Sequence, residues 1–307
     1  MTQKGETKLF RGGAVGLPRW FWPSFALPGV GWLLLFFVVP FYAILSVAMG
    51  KLDPIFSTAT PEWNPIKWNP DSFGEVLQSP ELQGILFRTV VYVAAAGIIA
   101  LLVGYPVAYY IARHGGRFKT LLLVLLIAPF WISYLMRMLA WVNLLQDDGY
   151  VNQILMFFNV LDAPRAWLSG EPSTVILGLV YGYIPFLILP LFAALDRIDN
   201  RVLEAARDLG ASPMRTFWHV TMPLSKQGIL AGLVIILLPM FGDYYTPDLL
   251  SGVPRTSMIG NQVNFFIHSG TGGNQGAAIV IILSVLVSLL MVYYLVTVAK
   301  AAREARA

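Results

Sequence analysis

The sequence predicts an all-α, polytopic membrane protein with six transmembrane helices and both termini in the cytoplasm. Hydrophobic residues make up 57% of the 307-residue chain and charged residues only 12%, whereas a soluble domain contains about 25% charged residues. The apolar residues are gathered in runs of about 20, the length that a helix needs to cross a bilayer. A membrane β-barrel would show alternating hydrophobic and polar residues instead.

The apolar runs divide the chain into tails, loops and spans. A basic N-terminal tail (1–22) precedes the first transmembrane helix (23–49), and a polar loop (50–82) follows it. Residues 83–299 form the remaining core, and 300–307 form a C-terminal tail. Spans two to six of the core are predicted at 85–112, 120–145, 173–195, 228–250 and 276–298.

The distribution of Lys and Arg predicts the orientation of these spans. The two tails and the loops on their side of the membrane contain 15 Lys and Arg, and the loops on the other side contain 4. Positive residues accumulate on the cytoplasmic side of membrane proteins. Both termini and the loop at 196–226 are therefore predicted to be cytoplasmic, and the loop at 50–82 periplasmic.

Residues 201–223 form the longest charged segment, and they predict two short helices joined by a turn. Asn200 is expected to be the N-cap of the first helix. Gly210 is expected to end it, because glycine adopts the left-handed conformation without penalty. Ser212 is then placed to cap a second helix that has Pro213 at its first position, where a missing N–H costs nothing.

The two short helices are each apolar on one side, as the helical spacing of their hydrophobic residues indicates. Pro223 is expected to start the membrane span that follows them. The apolar sides are formed by Val202, Ala206 and Leu209 in the first helix and by Met214, Phe217 and Trp218 in the second.

Glycine and proline mark two places where the spans are not uniform helices. Span four contains Gly178-x-x-x-Gly182, a spacing that lets another helix approach closely. In span five, Gly242 and Pro247 are expected to weaken the helix. Irregular backbone within a membrane is tolerated where it lines a cavity.

Ionisable residues within the predicted spans are expensive in hydrocarbon, so they indicate either a structural ion pair or a transport pathway. Arg137 lies in span three, and Asp243 and Asp248 lie in span five. Arg137 and Asp243 could pair with each other. Alternatively, the two carboxylates with Tyr244 and Tyr245 would suit an organic cation, through charge and through cation–π contacts.

Several kinds of site are absent from the sequence. There is no cysteine, which excludes disulfides and thiolate metal sites. No G-x-x-x-x-G-K-[ST] motif occurs, since Gly50-Lys51 is followed by Leu52. The three histidines form no H-x-x-x-H pair, and no nucleophile elbow frames a serine. We find neither an enzyme site nor a metal site in the sequence.

Part of the segment 201–223 resembles the EAA loop of bacterial ATP-binding-cassette (ABC) importer permeases, whose pattern is E-A-A-x3-G-x9-I-x-L-P. The match runs from Glu204 to Pro223 with intact spacing, and only Val220 for Ile and Met222 for Leu depart from it. The resemblance implies the type I ABC importer permease fold and a coupling helix that docks on a separate ATPase subunit. The residues that it assigns to ATPase coupling are Glu204, Ala205, Ala206, Arg207, Asp208, Gly210 and Ser212.

Three further segments resemble spermidine/putrescine permeases. SYLMRMLAW (133–141) is similar to S-Y-L-V-R-T-Y-A-W, GDYYTPDLLSG (242–252) to G-D-F-V-T-P-D-L-L-G-G, and DDGYVNQIL (147–155) to D-x-G-x-x-N-x-x-L. The departures leave open whether the solute is a polyamine or another small molecule. The candidate residues of the substrate pathway are Arg137, Trp141, Asp243, Tyr244, Tyr245 and Asp248.

The resemblance implies a complex in the bacterial inner membrane. Its other members would be a second homologous permease, an ATPase dimer and a periplasmic or lipid-anchored polyamine-binding protein, surrounded by membrane lipid and without nucleic acid. This subunit would be non-catalytic and would hold no cofactor, because the ATPase subunits would bind ATP and magnesium. An ion-gradient-driven secondary transporter that uses Asp243 is the alternative, although the chain lacks the repeated halves common in that class.

Overall fold

The computed structural model describes residues 24–53, 55, 58–270 and 272–304, so the predicted basic tail at 1–22 lies outside the described residues. The described chain is mostly helical, in agreement with the predicted all-α class. Its helices are α1 (Leu27–Ala48), α2 (Asp71–Gln78), α3 (Pro80–His114), α4 (Lys119–Ile127), α5 (Tyr134–Leu145), α6 (Tyr150–Phe157), α7 (Pro172–Asp196), α8 (Asn200–Asp208), α9 (Pro213–Phe241), α10 (Tyr245–Leu250), α11 (Ile259–His268) and α12 (Gly273–Glu304).

Five of these helices (α1, α3, α7, α9 and α12) are long and apolar enough to cross a membrane. The predicted third span is different, because the chain bends by 87° between the helical segment Gly116–Trp131 and α5. The bend follows Pro129, and Ile132 and Ser133 adopt extended backbone conformations. The prediction of one straight helix at 120–145 is therefore wrong.

Contacts at the two ends of α7 mark opposite faces of the molecule, and the bent pair begins at one of these faces. At one face, Lys119 at the start of α4 forms a 2.5 Å ion pair with Asp196 at the end of α7. At the other face, the Arg255 side chain donates hydrogen bonds to the Ser169 and Gly170 carbonyls beyond α6. Counted with the bent pair as one span, the described chain has six candidate membrane spans, the number predicted.

The core lies where α3, α7 and α9 pack together. Small residues on α3 such as Ala96, Ala100 and Ala108 are fully buried, and they allow α7 to approach closely. Leu187 and Leu191 of α7 fill the space between the helices. Packing through small residues is the usual way in which membrane helices associate, because burying apolar surface gains little in lipid.

One predicted boundary in the second half of the chain is wrong. Pro223 does not start a new helix but lies within α9, which begins at Pro213 and ends at Phe241. A π-helical turn at Phe217–Thr221 comes directly before Pro223, and the wider turn relieves the clash of the proline ring with the preceding turn. The predicted sixth span at 276–298 agrees with the candidate span Gly273–Ala299, and the helix continues beyond it to Glu304.

A small folded region covers the face opposite the Lys119–Asp196 pair. The strands β1 (Lys51–Leu52) and β2 (Ala59–Thr60) form an antiparallel hairpin in which Lys51 lies opposite Thr60. The amphipathic helix α2 then packs on the start of α12, where Asn274 Nδ2 donates a 2.7 Å hydrogen bond to Ser72 Oγ.

Candidate functional site

The predicted coupling segment (201–223) folds as two helices joined by a tight turn. Gly210 in the turn has a φ of +82°, a conformation that glycine adopts without steric cost. Ser212 Oγ accepts a hydrogen bond from the Arg215 amide at 3.3 Å, and Pro213 is the first residue of α9. The turn and the second cap therefore agree with the sequence.

The cap of the first helix differs from the prediction. Asp199 Oδ1 accepts a hydrogen bond from the Arg201 amide at 2.9 Å, and Asn200 is already helical. Asn200 has another contact, since its Oδ1 accepts a hydrogen bond from Arg113 Nη1 at 2.9 Å. Asp199 therefore takes the N-cap position, and the prediction for Asn200 is wrong by one residue.

The apolar side of the coupling segment faces away from the rest of the chain. Leu203 is the buried anchor of α8, whereas the Leu209 side chain is 89% exposed. The residues assigned to coupling by resemblance surround this surface, and Glu204, Ala205, Arg207 and Asp208 are exposed. The other large exposed apolar side chains of the segment are Val202, Met214 and Trp218.

Aromatic contacts connect the coupling segment to the helix core. The Phe217 ring packs edge-to-face against Tyr105 and Tyr109 of α3, at centroid distances of 5.7 and 5.8 Å. The Tyr105 hydroxyl lies 2.9 Å from Ser225 Oγ of α9. A displacement of this segment is therefore transmitted directly to α3.

Asp243 lies at the break between α9 and α10, as Gly242 predicts. Its side chain is only 6% exposed. Its Oδ2 accepts hydrogen bonds from three hydroxyl groups, those of Tyr134 at 2.7 Å, Thr246 at 2.7 Å and Tyr183 at 3.3 Å. The Thr246 amide donates to Oδ1 at 3.1 Å. Four donors therefore bind the carboxylate, and none of the ion pairs found among the described residues involves Asp243.

The glycine motif of α7 makes room for this cluster. A Cβ at Gly182 would lie 2.7 Å from Tyr134 Cε2, and a Cβ at Gly178 would lie 2.6 Å from Thr246 Cγ2. Both distances are far below van der Waals contact. The predicted close approach at Gly178-x-x-x-Gly182 is confirmed, and it positions two of the side chains that bind Asp243.

Arg137 is buried beside the carboxylate cluster but does not bind to it. The guanidinium carbon lies 4.0 Å from the ring centroid of Phe130 and 5.4 Å from that of Tyr134. The ion pairs found in the described part of the chain are Lys119–Asp196 and Arg165–Glu171. The ion pair of Arg137 with Asp243, one of the two sequence interpretations, is therefore not formed in this conformation.

The remaining candidate residues of the pathway fall into two places. Tyr244 and Tyr245 stack on each other with a centroid distance of 4.2 Å, and Tyr245 is exposed. Asp248 is exposed on the same short helix, and its Oδ1 accepts a 2.6 Å hydrogen bond from Asn261 Nδ2. Trp141 lies apart from them.

Trp141 belongs to a separate cluster on the inner side of α5. Its ring packs edge-to-face against Tyr181 at 5.3 Å, and the same tyrosine lies 6.0 Å from the Arg137 guanidinium. The structure thus brings together Asp243, Tyr244, Tyr245 and Asp248, and it groups Trp141 with Arg137.

The comparison with protein families decides the class of this chain. Residues 100–301 match the family model described as binding-protein-dependent transport system inner membrane component. The chain belongs to this family. It is thus a multi-pass protein of the inner membrane, and the alternative of an ion-gradient-driven secondary transporter is removed.

Individual relatives of the permease are similar over most of their length. The spermidine/putrescine transport system permease protein PotB of Escherichia coli K12 is 33% identical over 265 residues, covering 86% of this chain and 93% of that protein. The protein of the same name from Haemophilus influenzae is 37% identical over 267 residues, covering 86% and 89%.

A solved structure supports the fold of the permease. A chain in the crystal structure of a bacterial alginate ABC transporter with its alginate pentasaccharide-bound periplasmic protein has a TM-score of 0.71 at 18% identity. The match covers 90% of this chain and 92% of that chain. The predicted ABC importer permease fold is therefore confirmed.

Sequence reasoning missed the partners of the buried carboxylate in the permease. Tyr134, Tyr183 and Thr246 bind Asp243, and Asn261 joins the Tyr244 carbonyl to Asp248. Tyr134 lies one helical turn before Arg137 in a segment that had already been singled out. Its presence in an apolar run was the one available signal that it binds a buried polar group, because a buried hydroxyl needs a hydrogen-bond partner.

Proposed function

We propose that this chain is the membrane-spanning permease subunit of an ATP-driven importer of polyamines. Two PotB proteins, which are named as spermidine/putrescine permeases, support the solute class because they are 33% and 37% identical over 86% of this chain. The observation that carries the proposal is the helix break at Gly242. There, two carboxylates and two stacked tyrosines lie within two turns of an otherwise apolar region.

The two carboxylates have different roles in this proposal. Asp248 and Tyr245 are exposed, so they are the groups that contact the solute. A polyamine ammonium pairs with the carboxylate of Asp248, and the tyrosine rings cover its methylene groups. Asp243 is buried behind them. Its negative charge favours a cation at the break, and its hydrogen bonds hold α10 against α5 and α7.

The coupling segment is the proposed docking site for a separate ATPase subunit. Its exposed apolar side chains, Leu209 above all, are surrounded by exposed charged residues. Apolar anchors within a charged rim are typical of a protein–protein interface. In the assembled importer, ATP and magnesium are bound by the ATPase dimer, and this subunit is non-catalytic and holds no cofactor.

The proposed importer contains three further components besides this chain. A second, similar permease completes the translocation pathway between the two membrane subunits. A periplasmic or lipid-anchored polyamine-binding protein delivers the solute to the face that carries the β1–β2 hairpin. Hydrolysis of ATP then moves the coupling segments and opens the pathway alternately to the two sides of the membrane.

Replacement of the buried carboxylate tests the proposal. Asp243→Asn keeps the shape of the side chain and removes its charge, and Asp248→Asn does the same for the exposed carboxylate. Both variants should assemble and retain basal ATPase activity, while uptake of radiolabelled spermidine in reconstituted vesicles falls at least tenfold. For Asp248 the expectation follows because a hydrogen bond to a charged group contributes about 1.5–3 kcal/mol, and for Asp243 because the charge that favours a cation at the break is lost.

A matched control separates a local effect from a general effect of charge. Asp147 is exposed at the end of α5, so Asp147→Asn makes the same chemical change outside the helix break and should leave uptake unchanged. A stable Asp243→Asn, Asp248→Asn double variant with normal polyamine uptake would remove both carboxylates from the pathway. If that variant instead transported a neutral solute normally but no polyamine, the solute class would be supported independently of the relatives.

A further inference from the structure

A short segment after the hairpin folds back along α1. We call residues 62–68, with the sequence EWNPIKW, the return segment. It begins at Glu62, whose amide donates a 2.9 Å hydrogen bond to the Ser46 carbonyl in the last turn of α1. The Tyr42 hydroxyl donates a 2.6 Å hydrogen bond to the Trp63 carbonyl. The chain then returns to the end of α1, where the Asn69 amide donates a hydrogen bond to the Met49 carbonyl.

These contacts determine the depth of the return segment. Tyr42 lies six residues before the end of α1 at Ala48, which is about 9 Å along a helix axis. α1 itself has 22 residues and is thus about 33 Å long, close to the hydrocarbon thickness of about 30 Å. The Trp63 end of the segment therefore lies beside a part of α1 that is within the membrane or at its interface.

Several polar groups of the return segment are paired within the segment itself. The Asn64 amide donates to Glu62 Oε1 at 3.0 Å, and the Ile66 amide donates to Asn64 Oδ1 at 3.1 Å. Trp68 Nε1 donates to the Glu62 carbonyl at 2.9 Å. Pro65 has no amide hydrogen to satisfy. Irregular backbone can enter a region that is poor in water only when its polar groups are paired in this way.

The side chains of the return segment suit a lipid interface. Ile66 is 92% exposed and Trp63 is 56% exposed, and Trp63 lies beside Tyr42 of the membrane helix α1. The rings of Trp63 and Trp68 lie 6.2 and 6.1 Å from the Tyr42 ring. Tryptophan and tyrosine concentrate at the level of lipid headgroups. Lys67 can extend its charged end towards water while its stem stays apolar.

We infer that the return segment is inserted into the lipid interface on the membrane face opposite the coupling segment, with Ile66 at the boundary of the acyl chains. The aromatic rings of Tyr42, Trp63 and Trp68 lie at headgroup level. The anchor fixes the height of α1, since only 6% of its most apolar stretch is buried within the chain. Lipid covers Ile66, and no protein partner is needed.

Spin labelling tests the inference directly, since the native chain has no cysteine. Ile66→Cys removes a side chain that is 92% exposed, so it should not disturb the fold. The control is Ile55→Cys, because Ile55 is 80% exposed and lies in the turn between the two strands of the hairpin. Each variant is purified with its co-purifying subunits, labelled with a nitroxide and placed in nanodiscs of phosphatidylethanolamine and phosphatidylglycerol.

The expected result is opposite collision behaviour of the two labels. The label of Ile66→Cys should collide more often with lipid-soluble oxygen than with a water-soluble nickel chelate, at a depth of about 5–10 Å below the headgroup boundary. The label of Ile55→Cys should show the reverse preference. Equal, water-like collision rates at both positions would overturn the inference.

Two further outcomes would also overturn it by revealing a protein partner. A label of Ile66→Cys that neither oxygen nor nickel reaches would lie in a contact with the second membrane subunit. A label that is water-accessible alone but becomes shielded when the soluble binding protein is added would identify a docking surface for that protein. None of these outcomes depends on which solute the importer carries.

Discussion

A methyl group at position 182 should break the hydrogen bond between Tyr134 and the buried carboxylate of Asp243, although residue 182 does not itself contact Asp243. The Cβ of Gly182→Ala would lie 2.7 Å from Tyr134 Cε2 and 2.9 Å from the Tyr134 hydroxyl. Contacts this short do not persist, so the tyrosine ring must move. Its hydroxyl then leaves Asp243 Oδ2, to which it now donates a 2.7 Å hydrogen bond.

The expected loss of stability can be worked out from these contacts. A hydrogen bond to a charged group contributes about 1.5–3 kcal/mol, and overpacking of a well-packed core costs about 1–3 kcal/mol. Alanine is a better helix former than glycine by about 1 kcal/mol, which offsets part of the loss. Gly182→Ala should therefore lower the free energy of unfolding by about 1.5–5 kcal/mol.

The assay is reversible unfolding of the purified permease in mixed micelles with increasing sodium dodecyl sulfate, followed by tryptophan fluorescence. Gly84→Ala is the matched control, because Gly84 is also helical and a Cβ there would meet nothing within 4 Å. It should be as stable as the native chain or more so. Tyr134→Phe should lose only the hydrogen-bond contribution.

Combining the two changes gives the decisive comparison. The double variant Gly182→Ala, Tyr134→Phe should be no less stable than Gly182→Ala alone, because both single changes remove the same hydrogen bond and neighbouring sites are not additive. If Gly182→Ala is as stable as Gly84→Ala, the close packing of α5 on α7 is not what holds Tyr134 against Asp243.

Three other predictions concern coupling, topology and the buried cation. Gly210→Val should abolish transport-coupled ATPase activity without preventing membrane insertion, because the φ of residue 210 is +82° while the space around it is open. Gly210→Asn should retain coupling, since asparagine tolerates that conformation. Equal activity of the two variants would contradict the argument from backbone strain. In intact cells, an impermeant thiol reagent should label Val160→Cys but not Arg117→Cys, and the opposite pattern would reverse the orientation given by the Lys and Arg distribution. Arg137→Met should leave the free energy of unfolding unchanged or raise it by up to about 4 kcal/mol, because Nε and Nη1 of Arg137 are buried without hydrogen-bond partners. A large loss of stability would show that the aromatic contacts of Arg137 outweigh the cost of burying its charge.

The positions of the membrane helices were predictable from the sequence because hydrophobicity over about 20 residues reports burial in lipid directly. Whether the helix bends within an apolar run was not predictable. Pro106 and Pro185 lie inside the unbroken helices α3 and α7, whereas Pro129 precedes an 87° bend. A proline is tolerated when neighbouring groups or a local change of turn accommodate it, so its presence alone does not distinguish the two cases.

The candidate site was predictable only in part, for a related reason. Asp243 and the break at Gly242 could be identified because a carboxylate, a glycine and a proline in an apolar run are local signals. The donors that bind the carboxylate are not local, since Tyr183 and Tyr134 lie 60 and 109 residues away in the chain. Only the packing of α5 and α7 brings them together.

The uninterrupted course of α9 has a mechanical consequence. The helix has 29 residues from Pro213 to Phe241 and is therefore about 43 Å long. One end belongs to the coupling segment and the other end stops at Asp243. A rod of this length converts a tilt of about 5° at one end into a displacement of roughly 4 Å at the other. A rotation too small to alter the contacts of the coupling segment would be enough to separate the carboxylate of Asp243 from the tyrosines of α5 and α7.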